Sequence, residues 1–314
     1  MEFRTIGPRG GDGMRVSVVG LGCNAFGRRI DERDSVTVVR AALDAGITFF
    51  DTAESYGDGR SEEWLDKGLG TRRKDVVIAT KFGWGLQHVP GKGGGAPENV
   101  AIALEGSLRR LGSDWIDLYQ LHRPDPTTPI ADTLGALSDL VRAGKLRFVG
   151  CSNFSGAQLA EAAAVSEAKG FVSFVTAQNK WSVLDQDVEK DLLPTCRQFG
   201  IGVLPYYPLA RGLLTGKYRR NMPPPAGSRL AVDPRSSRVL SGADFDRLEA
   251  LEAFAGNCGH SLLDLAISWL AGRSETASVI AGASRPEQPA VNVAAAGWRM
   301  SDSERAEIDR IVAR

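Results

Sequence analysis

The 314-residue chain carries 38 basic and 38 acidic side chains, so its formal net charge is zero, and 43% of its residues are hydrophobic. That balance excludes a broad nucleic-acid footprint and a polybasic membrane anchor, both of which need a basic excess. No apolar run approaches the length that spans a bilayer, and the apolar content is ample for a large core.

Short β-rich runs alternate with amphipathic stretches from end to end. Phe3-Arg4-Thr5 and Arg15-Val16-Ser17 flank a Gly-rich turn and predict a hairpin, and Val18-Val19-Gly20-Leu21 reads as a first buried strand. Helical spacing of Val36, Val39, Ala42 and Leu43 predicts a helix over 33–45, stopped by Gly46. A strand ending at Asp51, a short helix over 62–69 and a strand ending at Lys81 follow. Pro97 suits the first turn of a helix reaching Leu111. Next come a strand ending at Leu121, a helix over 133–143, a strand over 146–151, a helix over 155–168, a short strand over 175–178 and a helix over 187–199. The rest reads as a strand over 202–206, helices over 244–256 and 262–271, a last strand over 278–281, and helices over 286–296 and 301–313.

After the hairpin this is about eight strands, each followed by helix, which is the count of a (β/α)₈ TIM barrel with an extra C-terminal helix. A doubly wound sheet would want Gly-x-Gly-x-x-Gly at its first helix, and Gly20-Leu21-Gly22 lacks the third glycine. The whole of 1–314 reads as one domain. Two connections, 83–96 and 219–242, are longer than barrel loops need to be. Both fall on the side where a barrel keeps its active site, and they read as lids or as surface insertions.

Asp51, Lys81 and His122 each close or just follow a predicted strand, and Tyr56 stands in the loop after Asp51. Barrel sites are built from the C-terminal ends of strands, so all four are expected at one mouth. Asp51 would keep a buried Lys81 charged. Lys81 would lower the Tyr56 pKa toward neutrality, and His122 would orient a carbonyl oxygen. Taken singly, each has an ordinary structural explanation: a helix cap, a loop aromatic, a snorkelling lysine, a core histidine. Together they are equipment for reducing a carbonyl, and since no side chain supplies hydride, they imply a nicotinamide cofactor.

The residues then reach a family resemblance that covers nearly the whole chain. The segment Gly46-Ile47-Thr48-Phe49-Phe50-Asp51-Thr52-Ala53-Glu54-Ser55-Tyr56-Gly57, with Thr80-Lys81 and Leu121-His122, resembles the catalytic segments of aldo-keto reductases. The run Gly144-Lys145-Leu146-Arg147-Phe148-Val149-Gly150-Cys151-Ser152-Asn153-Phe154 is similar to another of the family's segments. Tyr206-Tyr207-Pro208-Leu209-Ala210-Arg211-Gly212-Leu213-Leu214-Thr215-Gly216-Lys217-Tyr218 resembles the cofactor segment of its bacterial and channel-β-subunit-like branches. The resemblance implies NADP(H) lying across the barrel mouth. Ser152, Asn153 and Gln178 would bond its carboxamide, and Tyr206 would stack on its nicotinamide. Leu209, Gly212, Leu213 and Lys217 would hold the pyrophosphate, and Gly282, Ser284, Arg285, Gln288 and Asn292 the adenosine half. Gly22, Cys23, Asn24 and Pro208 complete that implied site.

Two positions depart from the family pattern. Val291 stands where it often has Glu, and Gly282 where some branches place a phosphate-binding Lys. Arg285 is suited to a 2′-phosphate, which favours NADP over NAD. On the substrate side, Phe26, Trp84, Trp115 and Trp181 are candidate pocket aromatics, and Arg123 stands ready for an anionic group or a surface ion pair.

Three readings follow: an NADPH-dependent reductase of small aldehydes or ketones; a cofactor-binding regulatory subunit; or an alcohol or sugar dehydrogenase working mainly in the oxidative direction. No metal is expected, since His88, His122 and His260 show no paired ligand spacing. Cys23, Cys151, Cys196 and Cys258 are scattered. With no secretory signal read, they suggest reduced thiols in a cytoplasmic monomer or homo-oligomer.

Overall fold

The computed structural model describes residues 1–8, 11–84 and 89–313. Strands β1 (Phe3–Ile6) and β2 (Met14–Ser17) pair as the antiparallel hairpin. Eight parallel strands follow: β3 (Val19–Gly22), β4 (Phe49–Asp51), β5 (Val77–Phe82), β6 (Ile116–Leu121), β7 (Leu146–Ser152), β8 (Phe174–Gln178), β9 (Gly202–Val203) and β10 (Val279–Gly282). Their order is β10-β3-β4-β5-β6-β7-β8-β9. The two ends of this ladder meet through a parallel bridge between Val203 and Thr276. There Val203 N donates to Glu275 O at 2.7 Å and Ala277 N to Val203 O at 2.8 Å, so the sheet closes into the predicted barrel.

The outer layer is α1 (Glu32–Asp44), α2 (Arg60–Leu69), α3 (Pro97–Arg110), α4 (Ile130–Arg142), α5 (Gly156–Lys169), α6 (Val188–Phe199), α7 (Arg229–Val232), α8 (Ser236–Ser241), α9 (Phe245–Asn257), α10 (Leu262–Ala271), α11 (Gln288–Ala294) and α12 (Asp302–Ala313). Local chemistry sets their ends. Asp31 accepts from Asp34 N at the start of α1, and Ser155–Gln158 and Ser261–Asp264 form capping boxes on α5 and α10.

Alternation along the strands divides the core in two. Phe50, Ile78, Phe82 and Tyr119 face the helices, while Phe49, Val77, Ala79 and Leu118 fill the barrel. The hairpin contributes Ile6, Met14 and Val16 to that interior cluster and so plugs the barrel's N-terminal end. The opposite end stays open. Interior parity carries Val77 and Ala79 on to Lys81, and Phe49 on to Asp51. A lysine and an aspartate therefore stand at the top of a dry barrel because the strand period puts them there.

Two expectations need correction, and one connection left open gains structure. The strand predicted over 202–206 is only Gly202–Val203. Pro205 has no N–H for a ladder, and Tyr206 lies beyond it, its N donating to Asn179 O at 3.0 Å. The long connection 219–242 is not structureless, since it contains α7 and α8. The last barrel helix starts at Gln288 rather than at residue 286, because Gln288 Oε1 takes the N–H groups of Ser284 and Arg285 at 2.8 and 3.2 Å. Of the other long connection, His88 and its three preceding residues lie outside the described residues. Residues 89–95 are tied to α3, with Val89 N donating to Asn99 Oδ1 at 2.7 Å and Asn99 Nδ2 to Gly93 O at 2.7 Å.

Candidate active site

The sheet register aligns the strand tops. Asp51 stands beside Gly22 and Ala79, Lys81 beside Gln120, and Ser152 beside Gln178. Lys81 is fully buried, and its Nζ donates to Asp51 Oδ2 at 2.7 Å and Thr52 O at 2.8 Å. It reaches Tyr56 Oη at 3.4 Å. Asp51 is held on its other oxygen by Gln178 Nε2 at 2.8 Å and Gln120 Nε2 at 3.4 Å. Tyr56 is placed by backbone approach. Gly57 (φ 58°) and Gly27 (φ 71°) lie so close that a Cβ on Gly57 would come 2.7 Å from the Gly27 Cα. Only glycine fits at such a contact. The His122 ring lies edge-on to Tyr56, with centroids 5.9 Å apart.

The electrostatics correct one expectation and sharpen another. Tyr56 lies above its ordinary value, not below it. Burial is the largest cause, the Lys81 ammonium opposes it without offsetting it, and Asp51 adds to it. Burial pulls Lys81 down, but Asp51 and Tyr56 raise it further, so it stays charged. His122 is pulled to about 3 by burial, then by Lys81, Arg123 and Arg28. At neutral pH the mouth therefore holds a protonated phenol, an ammonium paired with its carboxylate, and a neutral imidazole. The His122 Nδ1 has no partner among the described residues.

A cavity of about 1250 Å³ opens over these groups, larger than the roughly 300–1,000 Å³ of an ordinary ligand pocket. It is lined from Tyr56 and His122 to Arg285 and Asn292. Gly22, Asn24, Ser152, Asn153, Gln178, Tyr206, Pro208, Leu209, Gly212, Lys217, Gly282, Ser284, Arg285, Gln288 and Asn292 all face it. Cys23 and Leu213 do not. Cys23 is fully buried in the helix-facing core, and Leu213 packs against that core.

Some of the lining is already engaged. Asn153, at φ 61°, donates Nδ2 to His122 O and accepts from Tyr206 Oη at 2.8 Å. Ser152 Oγ donates to Gln178 O at 2.8 Å. Left-handed backbone at Tyr207, Ala210, Arg211 and Gly212 folds the 207–212 segment into tight turns along the cavity.

Among the candidate aromatics, Trp84 alone faces the cavity. It is 53% exposed, and its ring centroid lies 5.1 Å from that of His122. Phe26 and Trp181 are buried core residues. Trp115 sits at the opposite barrel end, just before β6, with Nε1 donating to Asp117 Oδ1 at 3.2 Å. The sequence reading missed Gln120, Glu54, Arg28, Arg29, Tyr207, Arg211, Arg229 and Arg235. All but Gln120 and Glu54 line the cavity.

Glu54 lies behind the site and is 2% exposed. Its Oε1 accepts from Gly83 N at 3.1 Å, which anchors the segment carrying Trp84. Burial, then the charge of Glu62, pushes it up to about 7, against the pull of Arg110 and of the Gly83 and Trp84 N–H groups. The folded protein thus binds a proton on Glu54 that the unfolded chain releases near its ordinary value of 4.5. The associated stability is fully present below that value and is lost as pH rises through about 7. At about 1.4 kcal/mol per pH unit, the loss is on the order of 3 kcal/mol. Glu54→Gln is expected to flatten the pH dependence of urea midpoints between about pH 5 and 8. An unchanged slope would place the titrating group elsewhere.

A tyrosine, a lysine–aspartate pair and a histidine stand at the top of a closed barrel, beside a long cation-rich cavity. Among the described residues no cluster of three His, Cys, Asp or Glu could hold a metal ion. The chain belongs to the aldo/keto reductase family, whose family model matches residues 18–313. It is 35% identical over 303 residues to a probable voltage-gated potassium channel subunit beta of Oryza sativa subsp. japonica, covering 94% of this chain and 91% of that one. It is 33% identical to probable aldo-keto reductase 1 of Glycine max, over 95% and 86% of the two chains. The solved glycerol dehydrogenase of Gluconobacter oxydans superposes with a TM-score of 0.81 at 31% identity, over 99% of this chain and 95% of that one. No helix among the described residues is long and apolar enough to cross a membrane.

Proposed function

We propose that the protein reduces aldehydes or ketones to alcohols, using NADPH and taking the proton from Tyr56. The observation that carries this reading is a phenol held protonated at the mouth of the cavity, 3.4 Å from a charged lysine and edge-on to a neutral histidine. Tyr56 donates its proton to the oxygen as charge develops there. Lys81 lies against the phenol oxygen and favours the phenolate left behind, and Asp51 fixes Lys81 in place. A neutral His122 donates a hydrogen bond to the same oxygen and costs no imidazolium.

The cavity fits a dinucleotide phosphate. Eight Lys or Arg side chains line it against two carboxylates, Asp51 and Asp233, and those two are paired with Lys81 and Arg235. When bound, the cofactor supplies the hydride. Asn24, Ser152, Asn153, Gln178 and Tyr206 would surround its nicotinamide end. Lys217 and the 207–212 turns would take the pyrophosphate, and Ser284, Arg285, Gln288 and Asn292 the adenosine end. Gln178 would do so with its remaining carbonyl oxygen, its Nε2 being committed to Asp51. A carbonyl panel followed by NADPH absorbance, with NADH alongside, tests the reading; no oxidation of either cofactor with any carbonyl would overturn it.

Arg285 carries the cofactor preference. It lies exposed on the cavity just before α11, with Nη2 3.0 Å from where a Gly227 Cβ would stand. It has no carboxylate partner among the described residues, so a 2′-phosphate meets an unneutralised guanidinium. Arg285→Ala is expected to weaken NADPH binding by about 10- to 100-fold, the worth of one hydrogen bond to a charged group, and to leave NADH nearly unchanged. Fluorescence titration of both cofactors against both proteins measures this. Equal affinities in the wild type would defeat it and turn attention to Lys217 and Arg229.

The regulatory reading draws on the relatives named as probable voltage-gated potassium channel β subunits. The dehydrogenase reading draws on the glycerol dehydrogenase neighbour. The phenol stays protonated over the physiological range, the form in which the reductive half of this reversible chemistry starts.

A further inference from the structure

Five of the cavity's eight cations fall into two separate groups. Lys217, Arg229 and Arg285 sit on segments that follow the last two barrel strands, where barrels bind phosphate. Arg28 and Arg123 stand apart, beside the proton donor. The Arg28 guanidinium donates to Ser55 O at 3.1 Å and lies 5.8 Å from the Tyr56 ring centroid. Arg123 lies 4.8 Å over the ring of Trp84, which itself packs on His122. Both arginines line the cavity and are exposed to it.

Neither has a carboxylate within 4.0 Å among the described residues, and undescribed residues 85–88 read Gly-Leu-Gln-His, with no carboxylate to offer. Both charges reach His122, where they add to burial and Lys81 in keeping the ring neutral. An anion entering this end of the cavity therefore meets two guanidinium groups that no carboxylate among the described residues neutralises. The cofactor phosphates are served by the other group. What remains for this end is the substrate.

We propose that the preferred substrates are carbonyl compounds carrying an oxyanion, a carboxylate or a phosphate, held by Arg123 and Arg28 while the carbonyl oxygen lies between Tyr56 and His122. This rests on the carbonyl-reductase reading above. The Arg123 guanidinium lies 4.8 Å over the Trp84 ring, and a guanidinium so placed can offer two parallel N–H bonds to an oxyanion. The Glu54–Gly83 hydrogen bond steadies the segment carrying Trp84 from behind. In the reaction the carbonyl carbon gains the cofactor's hydride and its oxygen the Tyr56 proton. The cofactor is oxidised, the phenol is reprotonated from solvent, and the oxyanion end is unchanged.

Two matched pairs test this: succinate semialdehyde against butanal, and glyceraldehyde phosphate against glyceraldehyde. The anionic member of at least one pair is expected to have a kcat/KM higher by about 10- to 100-fold, as one or two charge-assisted bonds allow. The pair with the larger ratio identifies the oxyanion. In Arg123→Met that ratio is expected to fall to about one, and Arg123→Lys to restore part of it. Equal or reversed ratios in the wild type, or an unchanged ratio in Arg123→Met, overturn the proposal. Calorimetric titration of the NADPH-loaded protein with succinate and with butanediol gives a readout free of turnover. Succinate binding that Arg123→Met abolishes, in a protein that reduces no carbonyl, keeps the anion site and sinks the reductase reading. Turnover of neutral carbonyls with no succinate binding does the reverse.

Discussion

Tyr56→Phe is expected to lower carbonyl reduction by about 10²–10⁴-fold, the worth of a positioned general acid, while leaving NADPH affinity where it was. The ring that meets His122 edge-on is retained, and only the hydroxyl goes. That hydroxyl has one long contact, to Lys81 Nζ at 3.4 Å, so folding stability should change by no more than about 1 kcal/mol. The wild-type pH profile supplies a second check. With the phenol raised above its ordinary value of 10.0 and His122 pulled to about 3, neither group titrates near neutrality. Between about pH 6 and 9 the reductive turnover should therefore show no titration of Tyr56 or His122, and any change near pH 7 should follow Glu54, which titrates at about 7 behind the Trp84 segment. Wild-type turnover by the Phe variant would remove Tyr56 from the mechanism. A steep fall near pH 7 that persists in Glu54→Gln would mean that another group supplies the proton.

The barrel and the grouping of polar residues at its mouth were legible because strand parity is. Each apolar run ends on the residue that faces the opening, so Asp51, Lys81 and His122 could be read as neighbours before any fold was known. Two residues read into the cofactor site do not face the cavity. Cys23 adjoins Gly22 and Asn24, which line the cavity, but points into the helix-facing core. Leu213 turns away from the cavity that Gly212 faces, within a run of left-handed turns that no periodicity reports.

Burial was the quantity the sequence could not supply. A lysine next to a tyrosine suggests a lowered phenol, yet desolvation of the packed mouth outweighs that one charge. Glu54 read as part of a family segment, and its isolation from water appears only once Gly83, Glu62 and Arg110 are in place around it. Arg28 and Arg229 sit in connections whose course depends on distant elements. Helices α7 and α8, of four and six residues, are too short to show a helical period.

Lys81→Met is expected to have the other large effect, on activity and stability together. Lys81 Nζ is the sole cation paired with Asp51 among the described residues, and both groups are almost wholly buried. Removing one member of such a pair strands the other as an unpaired charge, at a cost of about 3–5 kcal/mol. Gln178 and Gln120 still donate to Asp51 Oδ1, but Oδ2 loses its 2.7 Å bond and Thr52 O loses its donor. Urea unfolding of the single variant should therefore show a large loss of stability at neutral pH. Asp51→Asn combined with Lys81→Met removes the stranded charge and should recover much of the stability. Turnover should not recover with it, because the ammonium that favours the Tyr56 phenolate is still missing. Recovery of both together would make Lys81 a packing residue, and loss of neither in the single variant would mean that the pair is not the buried ion pair described here.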